Sequence, residues 1–200
     1  MKKKFIIVES IIYLTFIIFD LLKMDSTYIK YLGIIFCFLY SFLNAKKFQS
    51  ISMFFTLIAD MFLLVLNRYY EIGVLSFIVV QIIYILFIKN NNEKYFVSFL
   101  IFRFVVLFLG TLILCLIKNL SPLNFLVITY FSNLLINTIE SYTIKNNILS
   151  LGLTLFVCCD ICVGLHNILP HETIASFLMW VFYLPSQVLI VLAWFILLIC

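Results

Sequence analysis

Long apolar stretches, each broken by a handful of polar residues, recur from one end of the chain to the other. A helix crosses a hydrocarbon core with roughly 17 to 25 residues, and eight of these stretches reach that length. The pattern predicts helical spans over residues 5–22, 28–44, 50–67, 71–88, 95–117, 123–139, 148–168 and 172–198. The breaks carry turn chemistry: Lys23 to Ser26, Lys46 to Gln49, Asn67 to Glu71, Lys89 to Lys94, Lys118 to Pro122, Lys145 to Asn147 and Pro170 to Glu172. None has room for a soluble unit, so residues 1–200 read as one transmembrane domain of the all-α, polytopic class with about eight transmembrane helices.

Composition supports this reading. With 66% apolar and 11% charged residues, the chain has too little polar surface to coat a water-soluble core. The net charge of +4 is then a matter of topology, and no nucleic-acid partner is implied. Cationic loops stay cytoplasmic. Taking alternate connections, Lys2, Lys3, Lys4, Lys46, Lys47, Lys89, Lys94 and Lys145 fall on one side, against Lys23, Lys30, Arg68 and Lys118 on the other. That excess places both termini in the cytoplasm, and a bacterial plasma membrane is the expected location. The start MKKKFII has the charged front of a signal peptide, but no small-residue cleavage site follows, so it reads as the retained first helix. The six cysteines lie in or at the ends of apolar spans, Cys200 among them, where they act as small packing residues; no disulfide framework is expected.

Against this background two acids stand out. Asp60 in the third span and Asp160 in the seventh would each cost at least ~2.5 to 3.5 kcal/mol in lipid, so each should face a partner or a polar cavity. Both lie at similar depth, and each is followed by a helix with a tyrosine and a glutamine: Gln81 and Tyr84, then Tyr183 and Gln187. Each pair shares a helix face. The correspondence suggests two parallel four-helix repeats that bring the acids together. Two carboxyls sharing a dry site divide one charge, which sets a general acid beside a general base. Structural hydrogen bonding, or a proton or cation site in a transporter, would use the same residues. Cys158, Cys162 and His166 fall on one face beside Asp160, but such a set spans ~12 Å, too long to close on one ion, so no metal is expected. Arg103 can snorkel to the cytoplasmic interface or turn inward as a phosphate contact, with Glu9 as a possible partner; Asp20 reads as solvated. Pro185 should kink the eighth helix and free a carbonyl.

The order of these residues resembles the YhhN-like membrane family, whose characterised members include lysoplasmalogenases. That family has Gly-Asp in the third helix, then an aromatic, a Gly, a Phe, a His and a Tyr; here stand Ala59-Asp60, Tyr70, Gly73, Phe77, Gln81 and Tyr84. Its later Ser-Asp, and its Tyr with a downstream Gln-Leu-Ile, resemble Cys159-Asp160, Tyr183 and Gln187-Val188-Leu189-Ile190, and Tyr130 resembles a sixth-helix tyrosine. The resemblance covers roughly residues 28 to 195. Ala59, Cys159 and Gln81 depart from it, as does the lack of a proline beside Lys30.

The resemblance implies hydrolysis of the vinyl ether bond of a lysoplasmalogen to a fatty aldehyde and a glycerophospho-base. Asp60 and Asp160 would be catalytic, and Gln81, Tyr84, Tyr130, Tyr183 and Gln187 would position substrate or water. The implied partners are a lysophospholipid substrate and the bilayer, with no obligatory protein partner and neither metal nor organic cofactor. A small proton- or cation-coupled transporter, or an inactive lipid-binding family member, are the alternatives.

Overall fold

The computed structural model describes residues 2–44, 47–91, 95–144, 146–168 and 173–196. Lys46, Lys94, Lys145, the Pro170 to Glu172 connection and Cys200 lie outside the described residues. Among those described there are eight α-helices: α1 (Lys2–Leu21), α2 (Thr27–Asn44), α3 (Lys47–Asp60), α4 (Tyr70–Asn91), α5 (Phe96–Leu116), α6 (Pro122–Ser141), α7 (Asn147–Ile168) and α8 (Thr173–Ile196). α3 runs on into a π-helical segment, Met61–Val65.

Seven of these helices are long and apolar enough to cross a membrane. α1 has the length but carries Lys2, Lys3, Lys4, Glu9 and Asp20. Its sides divide cleanly nonetheless. Phe5, Glu9, Ile12 and Phe16 are buried, whereas Ile7, Ile11, Leu14 and Ile18 form an exposed apolar stripe. A stripe of that spacing is one helix face, and it suits contact with lipid.

Six helices close a ring: α2 packs on α3, α3 on α4, α4 on α6, α6 on α7, α7 on α8, and α8 returns to α2. α1 lies against α2 and α8, and α5 packs outside the ring on α6. α5 is accordingly the most lipid-exposed element, with only Arg103 and Leu114 buried. The core inside the ring is led by Ile34, Met53, Tyr84, Leu134, Phe156 and Leu184, all almost inaccessible.

Close approach depends on small residues. A Cβ at Gly152 of α7 would lie 2.9 Å from Ile190 Cγ1 and 3.1 Å from the Ile190 backbone nitrogen, so glycine lets α7 and α8 touch. At Gly73 of α4 a Cβ would meet Leu63 Cγ of the π segment at 2.5 Å. The helices end where the chain turns left-handed, at Lys23 (φ 57°), Asn67 (φ 47°), Tyr69 (φ 56°) and Lys118 (φ 52°). α6 restarts with Ser121 accepting from the Asn124 N–H at 3.1 Å and Pro122 in the first turn, where a missing N–H costs nothing. Pro185 sits inside α8, where the Val181 carbonyl loses its usual donor. The Tyr13 hydroxyl of α1 donates to that carbonyl at 3.3 Å, so α1 satisfies the group the proline frees.

Candidate active site

Asp60 is the last residue of α3, and the π segment begins immediately after it. The Leu66 N–H reaches back to the Met61 carbonyl at 2.9 Å, and the Arg68 N–H to the Phe62 carbonyl at 3.2 Å. A π turn inserts an extra residue into the helix, weakens its ladder, and recurs at functional sites. Asp60 is 4% exposed, and its Oδ2 accepts a hydrogen bond from the Tyr183 hydroxyl of α8 at 2.6 Å.

Asp60 and Asp160 each stand thirteen positions beyond the first residue of their helices, Lys47 and Asn147. At the helical rise both lie ~20 Å along, so their depths match. The two carboxyl groups are within electrostatic reach of each other. The Asp160 Oδ2 is inaccessible and has no hydrogen-bond partner among the described residues. The Tyr130 hydroxyl of α6 faces Asp160 but does not close a hydrogen bond to it.

A sheath of rings surrounds the acids. Phe77 lies 5.4 Å from Tyr130 and 5.7 Å from Phe156, and Phe156 lies 5.5 Å from Tyr183, between ring centroids. Trp180 meets Tyr183 nearly edge-on at 5.2 Å.

Not every residue singled out by the sequence joins this group. Gln81 is engaged by α6, where its Oε1 accepts from Asn137 Nδ2 at 2.8 Å. Asn137 in turn accepts from Arg103, whose Nη2 bonds Glu140 Oε2 at 2.7 Å. Arg103 thus turns inward, as one of the two expected courses had it, and is buried against Glu140 of α6, while its Nε and Nη1 have no hydrogen-bond partner among the described residues. Glu9, its suggested partner, instead accepts from the Cys37 thiol at 3.5 Å. Asp20, expected to be solvated, is paired with Lys30 at 2.8 Å. Tyr84 approaches Ser52 without closing a hydrogen bond, and Gln187 makes only a long contact with Ser186 at 3.5 Å.

Several buried polar atoms have no hydrogen-bond partner among the described residues: Asp160 Oδ2 and the Tyr130 Oη that faces it, and, on the same helices as the other candidate residues, Tyr84 Oη and Gln187 Oε1. Each would cost about 1 to 3 kcal/mol if left so, and together they suit a guest that both donates and accepts hydrogen bonds.

The sequence did not reveal Asn137, Glu140, Phe156 or Trp180 as parts of these networks. Ending the sixth span at residue 139 placed Glu140 in a loop, whereas α6 continues to Ser141. The clue was the polar series Asn133, Asn137 and Glu140, which recurs at helical spacing within an apolar stretch.

The sequence profile of the YhhN family matches residues 25–194. No curated protein and no solved structure matches the chain.

Proposed function

Since this chain belongs to the YhhN family, we propose that it is a membrane-embedded hydrolase that cleaves the vinyl ether bond of lysoplasmalogens, releasing a fatty aldehyde and a glycerophospho-base. The observation that carries this reading is the pair of matched-depth carboxyls, Asp60 bonded by the Tyr183 hydroxyl and Asp160 facing the Tyr130 hydroxyl with its Oδ2 unbonded among the described residues, beside a group of aromatic rings.

Vinyl ethers open when a proton adds to the carbon beta to oxygen, leaving an oxocarbenium ion. A hydroxyl donated to a carboxyl favours its anion, so Asp60 serves as the anion and Asp160, with a free oxygen, as the proton donor. Asp160 gives its proton to carbon. Asp60 and the ring faces stabilise the cation, and water adds as Asp60 takes a proton from it. In the resulting hemiacetal the hydroxyl returns a proton to Asp160 while Asp60 protonates the departing glycerol oxygen. One water is consumed and both acids are reset, so this cycle requires no further reactant.

Topology follows the charges. Lys2, Lys3, Lys4, Lys47 and Lys89 lie at one end of the bundle, and Lys23, Lys30, Arg68 and Lys118 at the other. We place both termini in the cytoplasm, with α1 as the eighth span and a bacterial plasma membrane as the setting.

Purified protein should release aldehyde from lysoplasmenylethanolamine, with Asp60→Asn and Asp160→Asn each reducing the rate at least about 100-fold. Undiminished release in both variants would sink the paired-acid mechanism.

One observation favours a second reading. Cys37 lies within electrostatic reach of both Glu9 and Asp60, so acids line up from α1 through α3 to α7. Such a row suits a proton-coupled transporter. Proteoliposome flux that needs Asp60, without aldehyde release, would decide for it.

A further inference from the structure

A second polar group inside the bundle takes no part in the chemistry described above. It lies along α6, which α4 meets from within the ring and α5 from outside it. Arg103 Nη2 of α5 donates to Asn137 Oδ1 and Glu140 Oε2 of α6, and Asn137 Nδ2 donates to Gln81 Oε1 of α4 at 2.8 Å. All four residues are buried. Yet Arg103 Nε and Nη1, Gln81 Nε2 and Glu140 Oε1 have no hydrogen-bond partner among the described residues.

The chemistry of those atoms selects what they hold. Three are donors and one is an acceptor, and the single cation of the group is balanced by a single acid. A small anion would gain at Arg103 and lose at Glu140, and a cation would do the reverse. Water donates and accepts, carries no charge, and makes about three hydrogen bonds in such sites. Unpaired N–H groups are costly in hydrocarbon, and water is the guest that satisfies donors and acceptor alike.

Position gives that water a use. Measured from the lysine-rich ends of their helices, Glu140 lies ~2 Å in, Asn137 ~6 Å, Arg103 ~10 Å, Gln81 ~15 Å, Tyr130 ~17 Å and Asp160 ~20 Å. On α6, Tyr130, Asn137 and Glu140 follow at spacings of seven and three, which is one helix face. Tyr84, one turn from Gln81 on α4, lies within electrostatic reach of Tyr130, and Tyr130 within reach of Asp160. The Tyr84 and Tyr130 hydroxyls and Asp160 Oδ2 are also unbonded among the described residues. Unsatisfied polar atoms thus continue inward from the end of α6 to the acid. At the opposite end of the bundle, where α1 finishes and α2 and α8 begin, opens a charged cavity of about 350 Å³ lined by Asp20, Lys23, Asp25 and Lys30. A substrate entering from that side would close it to water, although every turnover consumes one.

We propose that the α4–α6 seam is the entry path of the hydrolytic water, held at its mouth by Arg103, Gln81 and Glu140 and leading past Tyr84 and Tyr130 to Asp160. The use of this water rests on the hydrolase reading, whereas hydration of the seam is testable by itself.

Brief X-ray radiolysis of purified protein in nanodiscs, read by mass spectrometry, oxidises side chains that lie beside bound water. Tyr84 and Tyr130 should be oxidised in the wild type although both are buried, with exposed Tyr28 as the reference. Two variants dry the seam. Arg103→Met with Glu140→Leu removes both charges together, and Gln81→Leu leaves Asn137 its other acceptor, the Gln81 carbonyl oxygen at 3.1 Å. Each should lower oxidation of the two tyrosines at least about threefold and kcat for aldehyde release about tenfold, with KM within about twofold of wild type. If the double variant does not fold, Gln81→Leu decides alone. The inference is overturned if the two tyrosines are not oxidised in the wild type, if the variants leave oxidation or kcat unchanged, or if kcat falls while oxidation stays. Oxidation that depends on the seam, without aldehyde from the wild type, keeps the hydrated seam and removes the hydrolase. Aldehyde release indifferent to both variants does the reverse.

Discussion

Tyr183 and Tyr130 treat the two carboxyls differently, and the roles proposed for Asp60 and Asp160 rest on that difference. Tyr183 closes a 2.6 Å hydrogen bond to Asp60, while the Tyr130 hydroxyl faces Asp160 and closes no hydrogen bond among the described residues. Tyr183→Phe should lower kcat for aldehyde release about tenfold, because a hydrogen bond to a charged group contributes roughly 1.5 to 3 kcal/mol. Tyr130→Phe should cost less than threefold. Equal losses in the two variants would remove the assignment of Asp60 as the anion. The acids themselves were legible in the sequence, because a carboxyl in an apolar stretch is conspicuous whatever the fold. Their partners were not all legible. Gln81 lies three residues before Tyr84 on the same helix, yet it turns to Asn137 of α6, because a side chain's partner depends on helix rotation, which apolar sequence on every face leaves undetermined.

Among the elements, the π segment and the α5–α6 contact make the clearest predictions. α5 is tethered to α6 by Arg103 and Glu140, both buried. Removing one partner leaves an uncompensated charge, whereas removing both does not. Arg103→Met should therefore destabilise the protein by about 3 to 5 kcal/mol, and Arg103→Met with Glu140→Leu should recover most of that loss in thermal unfolding. A double variant no better than the single one would show that the pair is not the tether. The two close-approach glycines should separate stability from activity. Gly152→Ala presses on the Ile190 backbone nitrogen, which cannot move aside, and should cost about 1 to 3 kcal/mol of stability. Gly73→Ala presses first on the Leu63 side chain, and Leu63 belongs to the π segment that follows Asp60. It should lower aldehyde release more than melting temperature, and the opposite ranking would deny the π segment a part in the site. Helix limits were legible to within a few residues because bilayer thickness fixes their length. The π segment was not, since Met61–Val65 is apolar throughout and nothing in its composition separates a π turn from an α turn.

For the molecule as a whole, the eight helices among the described residues predict an even number of crossings and both termini on one side. The sequence predicted the number of helices, but not the ring, because α4 packs on α6 while α5 stands outside it, an order that hydropathy alone does not contain. The ring gives topology a functional consequence. Asp60 and Asp160 lie nearer the ends where α3 and α7 finish than where they begin, and the charged cavity opens at that same end. If the lysine-rich end is cytoplasmic, substrate enters from the opposite leaflet. Cysteines introduced at exposed connections test this directly. Asn119 lies between α5 and α6 at the cavity end, and Asn91 closes α4 at the other. In intact cells, Asn119→Cys should react with a membrane-impermeant maleimide beyond the wild-type background, and Asn91→Cys should react only after the cells are opened. Labelling of Asn91→Cys alone in intact cells would invert the protein and place the acids toward the inner leaflet. Labelling of both would mean that the two connections share a side, and the eight-span order would fall.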